Sequence, residues 1–200
     1  MRRLVSLYRW LSGLASIAGA AAVGGWSTAN AQAAATPATS RIDEGRYLVQ
    51  LGDCAGCHTA KDGKTLAGGK PLETGFGPIF SPNITPDAET GIGNWSSDAF
   101  YRALHTGHDD EGKHLYPAFP YPWFTRVTRD DVDSLKDYFD TVGPVRQPNK
   151  PPQLSWWMSW RAKIAGWNLL YFDEGAFQAD PHQAAAWNRG AYRLEGLGHR

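Results

Sequence analysis

The sequence predicts a mostly α-helical chain, with one helical domain over residues 40–143 and a Trp-rich extension over residues 144–200. Three observations carry this expectation. Ser40 with Asp43, Ser96/Ser97, and Thr128 with Asp131 are helix-start signals, each followed by apolar residues at helical spacing. Residues 62–95 between the first two helices are rich in Gly and Pro, as in a long loop that covers something inside a compact domain. No segment shows a convincing strand alternation. At 42% hydrophobic and 20% charged, the composition is that of an ordinary globular protein.

The chain opens with Arg2, Arg3 and Arg9, then an apolar Ala/Gly-rich stretch from about Trp10 to Trp26, then "T-A-N-A-Q-A" with Ala29 and Ala31 at the small positions a signal peptidase reads. This stretch is short and Gly-broken, which favours a cleaved signal peptide over residues 1–31 rather than a membrane anchor. Residues 32–39 then read as a flexible leader. Removing the three arginines leaves 17 basic against 20 acidic side chains, a net charge of −3. That balance gives no electrostatic footprint for nucleic acid.

The first helix is expected to carry Tyr47, Leu48 and Leu51 on its apolar face and to stop at Gly52. The two cysteines of the chain follow in "D-C-A-G-C-H-T". A disulfide between Cys54 and Cys57 would close too small a loop to staple anything. A zinc site needs about four ligands, and there is no second cysteine pair. A redox Cys-x-x-Cys needs a βαβ context. What remains is Cys-x-x-Cys-His, the attachment site of c-type haem. Cys54 and Cys57 add to the two porphyrin vinyl groups as thioethers, and His58 lies under the iron as proximal ligand. The chemistry is extracytoplasmic, in agreement with the leader.

A second helix carries Phe100, Tyr101 and Leu104 and ends at Gly107. "H-L-Y-P-A-F-P-Y-P" follows, a stretch stiffened by Pro117, Pro120 and Pro122 with aromatics between them. The third helix carries Val132, Leu135, Tyr138, Phe139 and Val142 on one face and stops before Gly143-Pro144. First and last amphipathic helices with haem-wrapping loops between them are the plan of a small cytochrome c.

After the Pro-rich linker 144–152 comes "L-S-W-W-M-S-W-R-A-K-I-A-G-W-N-L-L-Y-F". Arg161 and Lys163 interrupt it, leaving no uncharged run of the roughly 18–20 residues a membrane span requires. Three placements stay open: on this chain's own domain, on a partner protein, or at a membrane surface. A weak repeat aligns Gly45 with Gly190 and Tyr47 with Tyr192, so the extension reads as the start of an incomplete second haem domain.

"G-R-Y-L-V-Q-L-G-D-C-A-G-C-H-T-A", "S-P-N-I-T-P-D-A-E-T-G-I-G-N-W", "H-L-Y-P-A-F-P-Y-P" and "G-W-N-L-L-Y-F", in that order, resemble the first haem domain of the cytochrome c subunits of membrane-bound bacterial dehydrogenases. The resemblance covers residues 40–200. It implies a partner catalytic subunit of the molybdopterin, flavin or quinoprotein type, a periplasmic location, and delivery of electrons toward the respiratory chain. Many members of that family carry three haems and have Met, the sixth iron ligand, where this chain has Phe119. Here the chain reads to "G-L-G-H-R" without a second haem motif, so one haem is expected.

Phe119 cannot ligate iron and is expected to pack on the haem face. The open sixth position then has His105, His108, His114, Met158, water or nothing as candidates. His114, on the same rigid segment as Phe119, is the candidate retained for the metal. Tyr116, Tyr121, Trp95 and Trp123 are candidates to line the pocket or to bind the haem propionates. Electron transfer is the leading function, without substrate chemistry of the chain's own. The alternatives are a haem-based small-ligand binder or peroxidase-like protein, and a non-functional truncated product.

Overall fold

The computed structural model describes residues 38–199. The signal peptide expected over residues 1–31, and the leader up to residue 37, lie outside them. Helix α1 spans Ala38–Leu51, so Ser40 sits inside the helix rather than capping it. The helix already runs through Ala38 and Thr39, and the Asp43 carboxylate turns to Arg46 one turn on, at 3.5 Å, instead of reaching back. The last two residues of the expected leader are therefore helical.

The other two start signals act as expected. Ser96 caps α3 (Ser97–Thr106), its hydroxyl accepting from the Ala99 N–H at 3.1 Å. Thr128 caps α5 (Arg129–Thr141), accepting from the Asp131 N–H at 3.3 Å. Gly107 ends α3 in the left-handed region at φ 69°, and a Cβ there would also press into the Tyr121 ring.

α1 and α5 cross at Gly45, where a Cβ would overlap the Ser134 carbonyl. Only glycine lets the two backbones approach this closely. Around the crossing, Leu48 and Val49 of α1 meet Val132, Leu135 and Phe139 of α5 and Phe100 and Leu104 of α3, forming the core. Tyr47 was expected on this apolar face. It points outward instead, 39% exposed, with the Arg193 guanidinium 5.0 Å above its ring.

Between α1 and α3 the chain makes α2 (Cys54–His58) and a small antiparallel hairpin, β1 (Pro71–Leu72) with β2 (Ile79–Phe80), Leu72 opposite Ile79. The fold is thus mostly helical, as the sequence predicts, with one short hairpin added. Two-residue strands are too short to leave an alternating pattern. α4 (Tyr121–Phe124) is a single turn inside the Pro-aromatic segment.

The extension folds back over the domain. Asn83, 1% exposed, pins the linker: its amide donates to the Val145 carbonyl at 2.7 Å and to the Thr90 hydroxyl at 3.1 Å, and its carbonyl accepts from the Thr85 N–H and hydroxyl. α6 (Ala162–Tyr171) docks on the Pro-aromatic segment, burying Ile164 and presenting Asn168 to the Tyr121 hydroxyl at 2.5 Å. α7 (Ala185–Glu195) lies against the start of α5, the Tyr192 hydroxyl donating to Asp131 at 2.5 Å, and Leu197 just beyond it joins the core. Gly190 faces open space, unlike Gly45 with which it aligns. Among the described residues, no helix is long and apolar enough to cross a membrane.

Candidate haem-binding site

The site begins where α1 stops. Asp53 adopts the left-handed conformation at φ 48°, and this turns the chain sharply into α2. Its carboxylate then folds over Gly56, filling the space beside that residue's Cα. One helical turn separates Cys54 from Cys57, and His58 follows at once. Both thiols are unpaired, Cys54 half-buried against the core and Cys57 exposed. Burial is the main reason the Cys54 thiol is pushed up to about 12, with the Cys57 and Asp53 charges adding to it. An apolar pocket of this kind suits a thioether better than a thiolate.

The imidazole of His58 is held from behind. Its Nδ1 lies 2.8 Å from the Pro82 carbonyl, which can only accept, so Nδ1 carries the proton and Nε2 keeps its lone pair. Burial holds the ring below its ordinary value of 6.5, partly opposed by the Pro82 hydrogen bond, and keeps it neutral as iron ligation requires. Two further bonds fix the turn in place: Gly68 N–H to the His58 carbonyl at 2.7 Å, and the Lys70 ammonium to the Gly56 carbonyl at 2.5 Å. The residues present fit a covalently attached haem: two free thiols at the required spacing, and a histidine whose second nitrogen is committed to a backbone acceptor.

The β2 strand that leads to Pro82 also forms one wall of a cleft of about 260 Å³. Phe76 and Ile79 line that wall. Tyr116, Pro117 and Ala118 of the Pro-aromatic segment line the opposite one, and Met158, Ile164 and Trp167 of the extension close it. The stiff segment therefore faces a largely apolar slot, and Cys54, Cys57 and His58 are not among the residues that line it.

The other expected residues fall in different places. Phe119 lies edge-on to Phe124 at 5.3 Å, packed against the core. His114 is paired with His108 across a backbone bridge, ring centroids 4.4 Å apart, and does not line the cleft. His105 stacks on Tyr101 at 4.8 Å, its Nε2 3.6 Å from Glu174. Tyr121 is fully buried under α6, Trp95 is half-buried against the core, and Trp123 is partly exposed. Asn83-Ile84-Thr85 matches a glycosylation pattern, but the buried Asn83 amide is spent on hydrogen bonds and is closed to modification.

A core in which terminal helices cross at a bare glycine, with a Cys-x-x-Cys-His turn between them, defines an electron-transfer haem domain. Residues 42–143 match the cytochrome c family, and the chain belongs to it. Covalently bound haem c follows from that membership. The chain is similar to one of the subunits of nicotinate dehydrogenase from Pseudomonas putida, 44% identical over 177 residues, covering 88% of this chain and 14% of that protein. It is similar to the gluconate 2-dehydrogenase cytochrome c subunit of Pantoea cypripedii, 42% identical over 160 residues, covering 79% and 36%. A diheme cytochrome c-type protein of Cereibacter sphaeroides is 36% identical over 166 residues, covering 80% and 56%. The chain thus spans a seventh to about half of the length of these relatives.

Proposed function

We propose that this cytochrome takes electrons, one at a time, from the catalytic subunit of a dehydrogenase of the molybdopterin, flavin or quinoprotein type and passes them toward the respiratory chain from the periplasm. In this reading it carries a single haem, bound through Cys54 and Cys57, with His58 as proximal ligand and the macrocycle in the cleft between Ile79 and Pro117. The domain spans residues 40–143, and residues 144–200 form its linker and aromatic extension.

The observation that carries the site is the His58 Nδ1 bond to the Pro82 carbonyl beside two unpaired thiols. The names of the relatives, a nicotinate dehydrogenase subunit and the cytochrome subunits of gluconate, alcohol and fructose dehydrogenases, support the partner class. Exposed apolar side chains that a partner can cover are also present: Trp156 is 87% exposed and Trp160 67%, and Leu169, Leu170 and Tyr171 of α6 are exposed as well.

The test uses membranes from cells with and without the gene, given in turn nicotinate, gluconate, an alcohol and fructose, the substrates in the relatives' names. Substrate is expected to reduce a haem that is lost with the gene. Unchanged reduction in its absence contradicts the proposal.

A further inference from the structure

The extension does more than cover the cleft, because it is fastened to both of its walls. Gln153 N–H donates to the Pro78 carbonyl at 2.9 Å and Ser155 N–H to the Phe76 carbonyl at 3.0 Å, which ties it to the wall that continues to Pro82 and His58. On the other side, the Tyr116 hydroxyl donates to the Ser159 carbonyl at 3.4 Å, and the Arg161 guanidinium donates to the His114 carbonyl at 2.8 Å. Between these anchors the chain makes one tight turn, with Met158 N–H bonded to the Ser155 carbonyl at 2.8 Å. Met158 is half-buried and lines the cleft. It is one of two methionines in the sequence, the other being Met1.

Haem iron takes its axial ligands from His, Met, Cys or Tyr side chains, and an amine lone pair is a further donor. Three residues that line the cleft carry such an atom: Tyr116, Met158 and Lys163. The Tyr116 hydroxyl is used on Ser159, and the Arg161 cation lies 5.2 Å over its ring. The Lys163 ammonium donates to the Trp157 carbonyl at 2.6 Å and sits over the Trp157 ring. The Met158 thioether is the donor left. Of the histidines, His105 is stacked on Tyr101 with its Nε2 toward Glu174, and His108 and His114 are packed on each other, while both cysteines belong to the attachment turn.

We propose that Met158, delivered by the extension, supplies the second axial ligand of the haem iron, opposite His58. The extension is then part of the redox centre: displacing it from the cleft removes a ligand from iron. This rests on the haem-binding reading above, and the two are separated by reading attachment and ligation independently.

The full chain, matured with a c-type haem attachment system, is compared with Met158→Leu, Met158→His and His114→Asn. Haem staining of the denatured protein reports attachment and should be positive in all four. In the ferric wild type the long-wavelength sulfur-to-iron charge-transfer band is expected. Met158→Leu, which keeps the volume, should lose that band, turn high-spin, bind carbon monoxide rapidly when reduced, and shift to a lower midpoint potential. Met158→His should lose the band yet stay low-spin, which shows that the site is intact if the Leu variant packs poorly. His114→Asn should keep the band. A stained wild type without the band, a band that survives Met158→Leu, or loss of the low-spin state in His114→Asn overturns the proposal. An unstained wild type overturns the haem-binding reading together with it.

Discussion

Replacing Asn83 by Ala tests how the proximal side is held. The side chain makes four hydrogen bonds in a buried position, two through its amide nitrogen to Val145 and Thr90 and two through its oxygen to Thr85. At about 1 kcal/mol net per bond, the gross loss is about 4 kcal/mol. The Val145 carbonyl and the Thr85 hydroxyl retain each other at 3.4 Å, which recovers about 1 kcal/mol. The expected destabilisation is therefore about 3 kcal/mol, a melting-temperature fall of about 6–12 °C for a chain of this size. Circular dichroism in guanidinium, on the haem-loaded protein, measures it.

Asn83 adjoins Pro82, whose carbonyl holds the His58 proton, so a second effect is expected at the iron. Loosening that hydrogen bond weakens donation by the imidazole, and the midpoint potential should rise. Thr90→Val removes one of these four bonds together with the hydroxyl's bonds to Asp87 and from the Gln147 N–H, so it should cost about 3 kcal/mol and leave the potential unchanged. A loss below about 1 kcal/mol for Asn83→Ala refutes the reasoning.

Three further outcomes follow from particular contacts. Gly45→Ala places a methyl group against the Ser134 carbonyl at the α1–α5 crossing. It should cost at least the roughly 1–3 kcal/mol of an overpacked core, seen as a lower denaturant midpoint. The His114 ring is held below its ordinary 6.5 by burial and by the neighbouring His108, so the unfolded chain takes up the proton first as the pH falls. Stability that is full above about pH 6.5 should decline below it, and His114→Asn should flatten that decline in denaturant midpoints taken between about pH 7 and pH 5. Replacing exposed Trp156 and Trp160 by Ser should change stability by less than about 0.5 kcal/mol while weakening reduction by the partner dehydrogenase, measured as the rate of haem reduction at fixed partner concentration.

What could be read from the sequence was chemistry fixed by short spacing. Cys54, Cys57 and His58 occupy one helical turn, so their joint presentation needs no knowledge of the rest of the chain. The Ser96 and Thr128 caps and the Gly107 stop are equally local, each set within a few residues. Ser40 misled because Ala38 and Thr39 let the helix start earlier, and Asp43 found Arg46. Tyr47 misled because its cover is Arg193, which arrives from α7 at the far end of the chain.

The extension was the least legible part. Its aromatic content left own-domain, partner and membrane placements open. What settles one face is the pairing of Tyr121 with Asn168 and of Phe76 and Pro78 with Ser155 and Gln153, all far apart in sequence. The same folding back brings Met158 to the cleft, which no periodicity in its own segment could announce. Trp156, Trp160, Leu169 and Leu170 stay exposed, and these are the side chains proposed to meet the partner.

The central claim is that Cys54 and Cys57 hold one haem covalently with His58 beneath the iron. Intact-mass spectrometry of the denatured chain, matured with a haem attachment system, tests it most directly. The account predicts a mass increase of one haem in the wild type, retained in Phe119→Ala and absent in the double variant Cys54→Ala, Cys57→Ala. A wild-type chain without that increase, or a double variant that keeps it, would contradict the account.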